Sequence, residues 1–373
     1  MFRRKNKEQE QPTANHDGTD NAEGGKKKSK FYQRFAQQQL WGWSPIITGN
    51  VVVIYFLLVA VVCIALGVPI LVAAINVKEV KARYDNAGPM SGLSSGQAET
   101  TILGGNVNYP VSVQIPQTMQ PPVYVYYELG KYYQNHKRYV RSRDDNQMAG
   151  KSSGAGSGKC APEQYIGGNP DPSLPAQGAV TPCGLIAWSL FNDSFGDAAS
   201  VAGPGGVQTP VTLDQGHIAW QYDVDHLYGP VQPVNYNTEQ EAAFRGGNTS
   251  EVVLNQNQHF IVWMRPAAQP TFRKLWAVID VPLLAGTVLT FNIQNNYNTY
   301  RFGGHKTLVI STNSWMGGKN LFLGVCYLVI AGLALIVSIA FLFTYHLGCF
   351  GMVKRRKFGD VSQLSWNCNI AHR

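Results

Sequence analysis

The sequence predicts a membrane protein with two transmembrane α-helices and, between them, one large, mainly β domain of the antiparallel-sandwich type. Three observations carry this expectation. Apolar runs lie near both ends of the chain, at about 46–76 and 319–347. No Asp, Glu, Lys or Arg falls between Arg34 and Lys78, or between Lys319 and Lys354. The intervening residues 77–318 are polar and punctuated by Gly, Pro and Asn, with short apolar runs between. About 20 residues at 1.5 Å rise suffice to cross a ~30 Å hydrocarbon layer, so each run is long enough for one helix.

The N-terminal tail, residues 1–45, comes first. Residues 1–30 are poor in apolar side chains and rich in Lys, Glu, Gln and Asn, the composition of a chain that cannot bury a core. Phe31–Trp43 mixes aromatics with Arg34 and reads as an interfacial element on the cytosolic face. The first span follows, with Pro69 expected to kink it. Residues 1–45 carry nine basic and five acidic side chains, and residues 348–373 five and one, so each tail is net +4. The remaining charges cancel, and the whole +8 sits in the tails. Basic clusters beside spans stay cytosolic, while long loops translocate largely regardless of charge. Both termini are therefore expected in the cytoplasm and the β domain in a lumen or outside the cell. The chain would reside in the endoplasmic reticulum, Golgi, endosome or plasma membrane. The basic clusters suit anionic lipid, and no nucleic-acid role is expected. Met1–Arg34 is charged and polar, so the first span reads as an uncleaved signal anchor.

The middle domain carries two cysteines, Cys160 and Cys183, and in an oxidising lumen an isolated pair is most simply a disulfide. Two glycan acceptor sequons begin at Asn192 and Asn248, and neither tail has one. Cys63 and Cys326 lie within the spans as small packing residues, while Cys349 and Cys368 face the cytosol. Strands are expected at Val123–Leu129, Phe260–Met264, Leu275–Ile279, Val288–Ile293 and Lys306–Ser311. Gly150–Lys159 and Gly203–Gly206 read as loops, and Glu239–Arg245 as a turn or two of helix.

Several motifs tempt a catalytic reading. Gly154–Lys159 is like a phosphate-binding loop, but Ser153 replaces the first glycine and Cys160 stands where Ser or Thr would bind magnesium. Two G-x-S-x-G strings, around Ser94 and Ser152, lack the strand and helix of a nucleophile elbow. Asp223-Val-Asp225-His226 alternates as a solvated strand edge would, with no second ligand cluster. Asp144 and Asp145 stand near Arg138, Arg141 and Arg143, as in a structural ion-pair network. The expectation is no catalytic residue, no cofactor and no metal. The spans lack the intramembrane charges a transporter needs, although Cys63 with Gly67 and Ala334 with Ser338 suit helix packing.

Longer motifs identify a family. These are Gln38–Pro45, Tyr126–Leu129 followed by Tyr132–Val140 and Ser142–Asp145, and Pro182–Ala187 running into Leu190–Asp193. Phe260–Arg265 with Pro270–Leu275, Asn295–Tyr297 with Phe302–Gly304, and Ser311–Asn320 complete the set. Over roughly residues 35–345 the chain resembles the accessory (β) subunits of type-IV P-type ATPases, the lipid flippases. That family is named for cell cycle control protein fifty and ligand-effect modulator three. The resemblance implies a non-catalytic subunit that helps a catalytic α subunit fold, leave the endoplasmic reticulum and translocate phospholipid to the cytosolic leaflet. Its Tyr-, Trp- and Arg-rich blocks supply the candidate partner contacts: Trp41, Trp43, Tyr132, Tyr133, Arg138, Arg141, Trp263, Arg265 and Trp315. Two departures stand out. Family members often carry four further cysteines soon after the first span, and Lys78–Tyr124 has none. Asn298 and Thr299 fall where the family commonly has a proline. A trimeric channel subunit shares this layout but needs a polar pore lining, and an ectoenzyme needs an acid–base or nucleophile set. Neither is visible in the chain.

Overall fold

A computed structural model describes residues 35–37, 49–105, 107–151, 158–196, 199–202, 208–236 and 252–344. Trp41, Trp43, Asn248, Glu239–Arg245, Gly203–Gly206, Cys349 and Cys368 lie outside the described residues.

Two helices, α1 (Gly49–Asn76) and α8 (Phe322–Leu342), are long and apolar enough to cross a membrane. Helix α1 runs on through Pro69. Their contact explains the small residues. A Cβ on Gly67 would sit 2.9 Å from Tyr327 Cβ, and one on Gly324 would sit 2.9 Å from Leu71 Cβ, so the helices pack antiparallel. The buried residues include Ile70 and Ala73 on α1 and Ala334 on α8, and with them two stripes of small residues, Ala60, Gly67 and Ala74 on α1 and Gly324, Ala331 and Ser338 on α8. Both stripes repeat every seven residues, the spacing that keeps one seam in contact in a left-handed helix pair. Without a hydrophobic drive in lipid, close backbone approach at small residues supplies the packing energy.

Between the helices lie two antiparallel sheets. One runs β1 (Glu79–Arg83), β9 (His305–Thr312), β3 (Val123–Gly130), β7 (Phe272–Ile279). The other runs β2 (Asn108–Gln114), β8 (Val288–Gln294), β5 (Ala199–Ala202), β6 (Gln208–Val211), with β4 (Ser194–Phe195) also on β8. β2 alternates exposed and buried residues along its whole length, as expected of a sheet with one wet face. Val125 and Leu308 from the first sheet share one core with Val111 and Phe291 from the second. The sandwich expected from the sequence is therefore present. Short helices decorate it: α2 (Ser95–Leu103), α3 (Lys137–Arg141), α4 (Asp145–Met148), α5 (Leu185–Trp188), α6 (Gln221–His226) and α7 (Gln258–Trp263).

Two local expectations are corrected. Phe260–Met264 is not a strand but falls on α7 and its C-terminal cap, with Asn257 accepting from the Phe260 amide at 2.9 Å. Asp223-Val-Asp225-His226 is not a strand edge but part of α6. Ser94, centre of one G-x-S-x-G string, is the N-cap of α2 in a reciprocal capping box with Gln97. Cys160 and Cys183 are disulfide-bonded, with Cα atoms 5.6 Å apart.

The cysteine-poor stretch after the first span is held without covalent help. Met90, Ala98 and Ile102 sink into the core, and Glu99 accepts from Asn298 at 3.1 Å and pairs with Arg301 at 3.2 Å. Asn298 is thus one of the anchors.

Candidate partner-binding surface

Strand register sets which end of the first sheet faces the spans. Lys78 lies two residues past α1, and its amide and carbonyl both meet Thr312, the last residue of β9. Glu79, Thr312, Val123 and Ile279 therefore mark the span-proximal edge, and Arg83, Gly130 and Phe272 the distal one.

At the distal edge β3 ends at Gly130, where a Cβ would lie 1.9 Å from the His305 ring, so only glycine fits. The chain then enters α3. Its Tyr139 turns inward, with its hydroxyl 2.7 Å from Ser189 Oγ, and Lys137, Arg138, Val140 and Arg141 stay exposed. Tyr133, just ahead, is 62% exposed. This is a compact aromatic and cationic surface.

The motif blocks that carried the resemblance meet inside the domain. Tyr127 stacks on Phe191 at 3.8 Å, and Trp263 lies within 6.5 Å of Phe191, Tyr132 and Tyr297. Trp263 is wholly buried and donates its indole N–H to the Ile186 carbonyl at 2.8 Å, so it fills the core. Tyr132 is half-buried in the same cluster, against Phe272 and Phe302. Spacing in sequence does not separate such residues from exposed ones, because a Tyr or Trp serves either purpose.

A second exposed surface forms on α6 and the end of α7. Arg265 clasps the buried Asp223 carboxylate with two nitrogens, one at 2.8 Å, and lies 4.6 Å above the Trp220 ring. Trp220, Tyr222 and Leu227 project into solvent beside it. Sequence reasoning named Arg265 but not Trp220. Beneath this cleft Lys274 Nζ donates to the carbonyls of Val262 and Arg265. Burial pushes its pKa down to about 8.

Ion pairs brace the outer face of the first sheet. Arg273 joins Glu79 at 2.7 Å and Glu128 at 2.8 Å, and Lys81 joins Glu128 at 2.8 Å. Burial works against the Glu128 carboxylate, but the hydrogen bonds from Lys81 and Arg273 win and hold its pKa below the usual value. Asp144 and Asp145 pair with Lys159 at 4.0 Å and Arg143 at 3.0 Å.

The Asn192-Asp193-Ser194 sequon is built around its middle residue. Asp193 is buried and accepts from Tyr84 at 2.7 Å, from the amides of Asn296 and Tyr297 at 2.6 Å, and from Lys306 at 2.7 Å. Asn192, the first residue of the sequon, is half-buried on the chain leading into β4.

Comparison with known proteins places this architecture. Residues 70–349 match the model of the LEM3 (ligand-effect modulator 3) family / CDC50 family. ALA-interacting subunit 3 of Arabidopsis thaliana is 38% identical over 95% of this chain and 96% of its own length. Cell cycle control protein 50A of Bos taurus is 32% identical, over 84% of this chain and 88% of its own. The phospholipid-transporting ATPase accessory subunit CDC50 of Chaetomium thermophilum is 28% identical over 89% of this chain and 90% of its own. With its two apolar helices, its sandwich and its motif blocks all inside the matched region or the aligned length, the chain belongs to the CDC50/LEM3 family.

Proposed function

We propose that this chain is the non-catalytic accessory subunit of a type-IV P-type ATPase that moves phospholipid to the cytosolic leaflet. The observation that carries the reading is correspondence over nearly the whole chain with proteins named as ALA-interacting or ATPase accessory subunits. The catalytic subunit supplies the nucleotide site, the phosphorylated aspartate and the lipid path. This chain supports its folding, its exit from the endoplasmic reticulum and its transport-competent state. Both tails lie in the cytosol, where their basic clusters face anionic lipid, and the sandwich lies on the opposite side.

The surfaces that fit a protein partner are those that combine exposed aromatics with cations. Tyr133, Arg138 and Arg141 form one, and Arg265 with Trp220 the other, since Tyr, Trp and Arg dominate binding hot spots. The outward faces of α1 and α8, such as Ile54, Leu58, Leu333 and Ile336, remain free to pack on the larger subunit's helices. Affinity purification from native membranes tests the reading. The expected result is one-to-one recovery with a polypeptide of ~100 kDa or more that forms an aspartyl phosphate. A homo-oligomer with conductance, or ATP turnover by the chain alone, would overturn it.

A further inference from the structure

We propose that the span-proximal edge of the sandwich is a lipid-binding ledge, which rests on the non-cytosolic leaflet through Val281, Leu284, Trp315 and Met316. The inference is independent of which protein partners the chain.

The height of the edge above the bilayer follows from chain geometry. Gly324 abuts Leu71, so the first turn of α8 stands level with residues 71–73 of α1. Asn76, the end of α1, is then about 5 Å further out at 1.5 Å per residue. Lys78 follows two residues later, at most ~7 Å beyond, and there it meets Thr312. The base of the sheet thus lies within roughly 12 Å of where the second span leaves the hydrocarbon. That is headgroup depth plus a few ångströms.

The loops leaving this edge lean on one another. Met119 pairs with Leu283, the Ala285 amide donates to Thr118 Oγ1 at 3.1 Å, and Lys78 Nζ donates to the Thr118 carbonyl. This anchoring turns Leu283 into the core and leaves Val281 and Leu284 outside, 47% and 55% exposed. Across the edge, a tight turn closed by reciprocal bonds between Ser314 and Gly317 puts Trp315 and Met316 at its tip. Trp315 is 74% exposed. The chain must then come down from Thr312 to Phe322, so this turn occupies the interval between sheet and bilayer.

Composition agrees with position. After Gly317–Asn320, apolar exposure resumes at Leu321, Phe322 and Leu323 and passes into the lipid-facing side of α8. Lys78 and Lys319 flank it, and Asp280 is the one acid among residues 280–286 and 313–321. Trp with flanking Lys is the side-chain mixture that settles at membrane interfaces. In solvent, four exposed apolar side chains on two loops would cost free energy in proportion to their area, and a leaflet at this height removes that area from water.

Parallax quenching tests the ledge. Cys63, Cys326, Cys349 and Cys368 are replaced by Ala, the disulfide is kept, and an environment-sensitive fluorophore is attached at Leu284→Cys or, as control, at Ser112→Cys on β2. The full chain is placed in phosphatidylcholine nanodiscs bearing spin-labelled lipid, both alone and as the complex copurified from native membranes. The expected result is quenching several-fold stronger at position 284 than at position 112, alone and in the complex, with shallow labels more effective than deep ones. In parallel, Trp315→Phe lowers the fraction of intrinsic fluorescence that shallow brominated lipid quenches. Equal quenching at 284 and 112 would overturn the proposal. So would quenching at 284 that is present in the free chain and lost in the complex, since the ledge would then be a protein-docking surface.

Discussion

Lys306 Nζ lies 2.7 Å from Asp193 Oδ2, and both side chains are completely shut off from solvent. Burial lowers the Lys306 pKa, and the Asp193 carboxylate opposes that fall. The amine also donates to the Tyr297 carbonyl at 2.7 Å and to Asn295. The pair therefore ties β9 to the Asn192–Ser194 sequon and to the chain after β8, three parts of the sequence that contribute separate motif blocks.

Removing one partner leaves the other charge buried and alone. Lys306→Met and Asp193→Asn are each expected to destabilise the domain by about 3–5 kcal/mol. Asp193→Asn keeps Asn192-Xaa-Ser194 intact as a glycan acceptor, so loss of stability is not confused with loss of the sugar. Thermal unfolding of the purified chain in detergent is the measurement, and an unchanged midpoint would contradict the assignment.

Gly184 follows the disulfide with φ +103°, and a Cβ there would lie 2.1 Å from the Ser142 carbonyl oxygen. Both the backbone conformation and the contact exclude a side chain. Gly184→Ala is expected to cost upwards of about 2 kcal/mol. Protease resistance of the folded domain should fall, whereas Gly158→Ala, at positive φ but in open space, should cost less.

Cys183→Ser opens a loop closed across a separation of 23 residues, a loss of about 3 kcal/mol in the chain-entropy model. The expected outcome is retention in the endoplasmic reticulum and weaker recovery of the partner. Glycosidase sensitivity and copurification measure both, and normal trafficking would show that the crosslink is dispensable.

His259 stacks on Trp276 at 4.0 Å, and burial lowers its pKa to about 4. Unfolded, the same ring titrates near 6.5. Between these values the unfolded chain holds the extra proton, so stability rises with pH and is lost as pH falls below about 6.5. From pH 7.5 to 5.5 the wild type should lose about 1 kcal/mol from this group, and His259→Gln should lose less. Chemical unfolding at the two pH values decides it.

Gly67→Leu or Gly324→Leu pushes the two helices apart at their closest point. Each is expected to reduce copurification of the larger subunit by more than an outward-facing change such as Leu333→Ala. Equal effects would show that the helix pair does not shape the partner's docking face.

The parts legible in the sequence were those set by local pattern. The spans declared themselves by length and charge, and Val123–Leu129 and Val288–Ile293 by β-branched runs. Phe260–Met264 misled because five apolar residues suit a strand or a buried helical turn equally. The discriminating signal was Asn257, a helix N-cap three residues before the run begins at Phe260. Asp223 could not be placed, since its partner Arg265 is 42 residues away. The sevenfold spacing of Ala60, Gly67 and Ala74 was visible and could have named the helix seam. Which of Tyr132, Tyr133 and Trp263 reach the surface depended on sheet register, which no local pattern encodes.

Two residues separate α1 from β1 and nine separate β9 from α8, and the Lys78–Thr312 clasp holds these neighbouring strands together on the side of the spans. On the α1 side only Val77 and Lys78 stand between helix and sandwich. A change of tilt in α1 is therefore expected to pass through this short link and the clasp into the sandwich as a rotation, and a push on the sandwich to return along the same route.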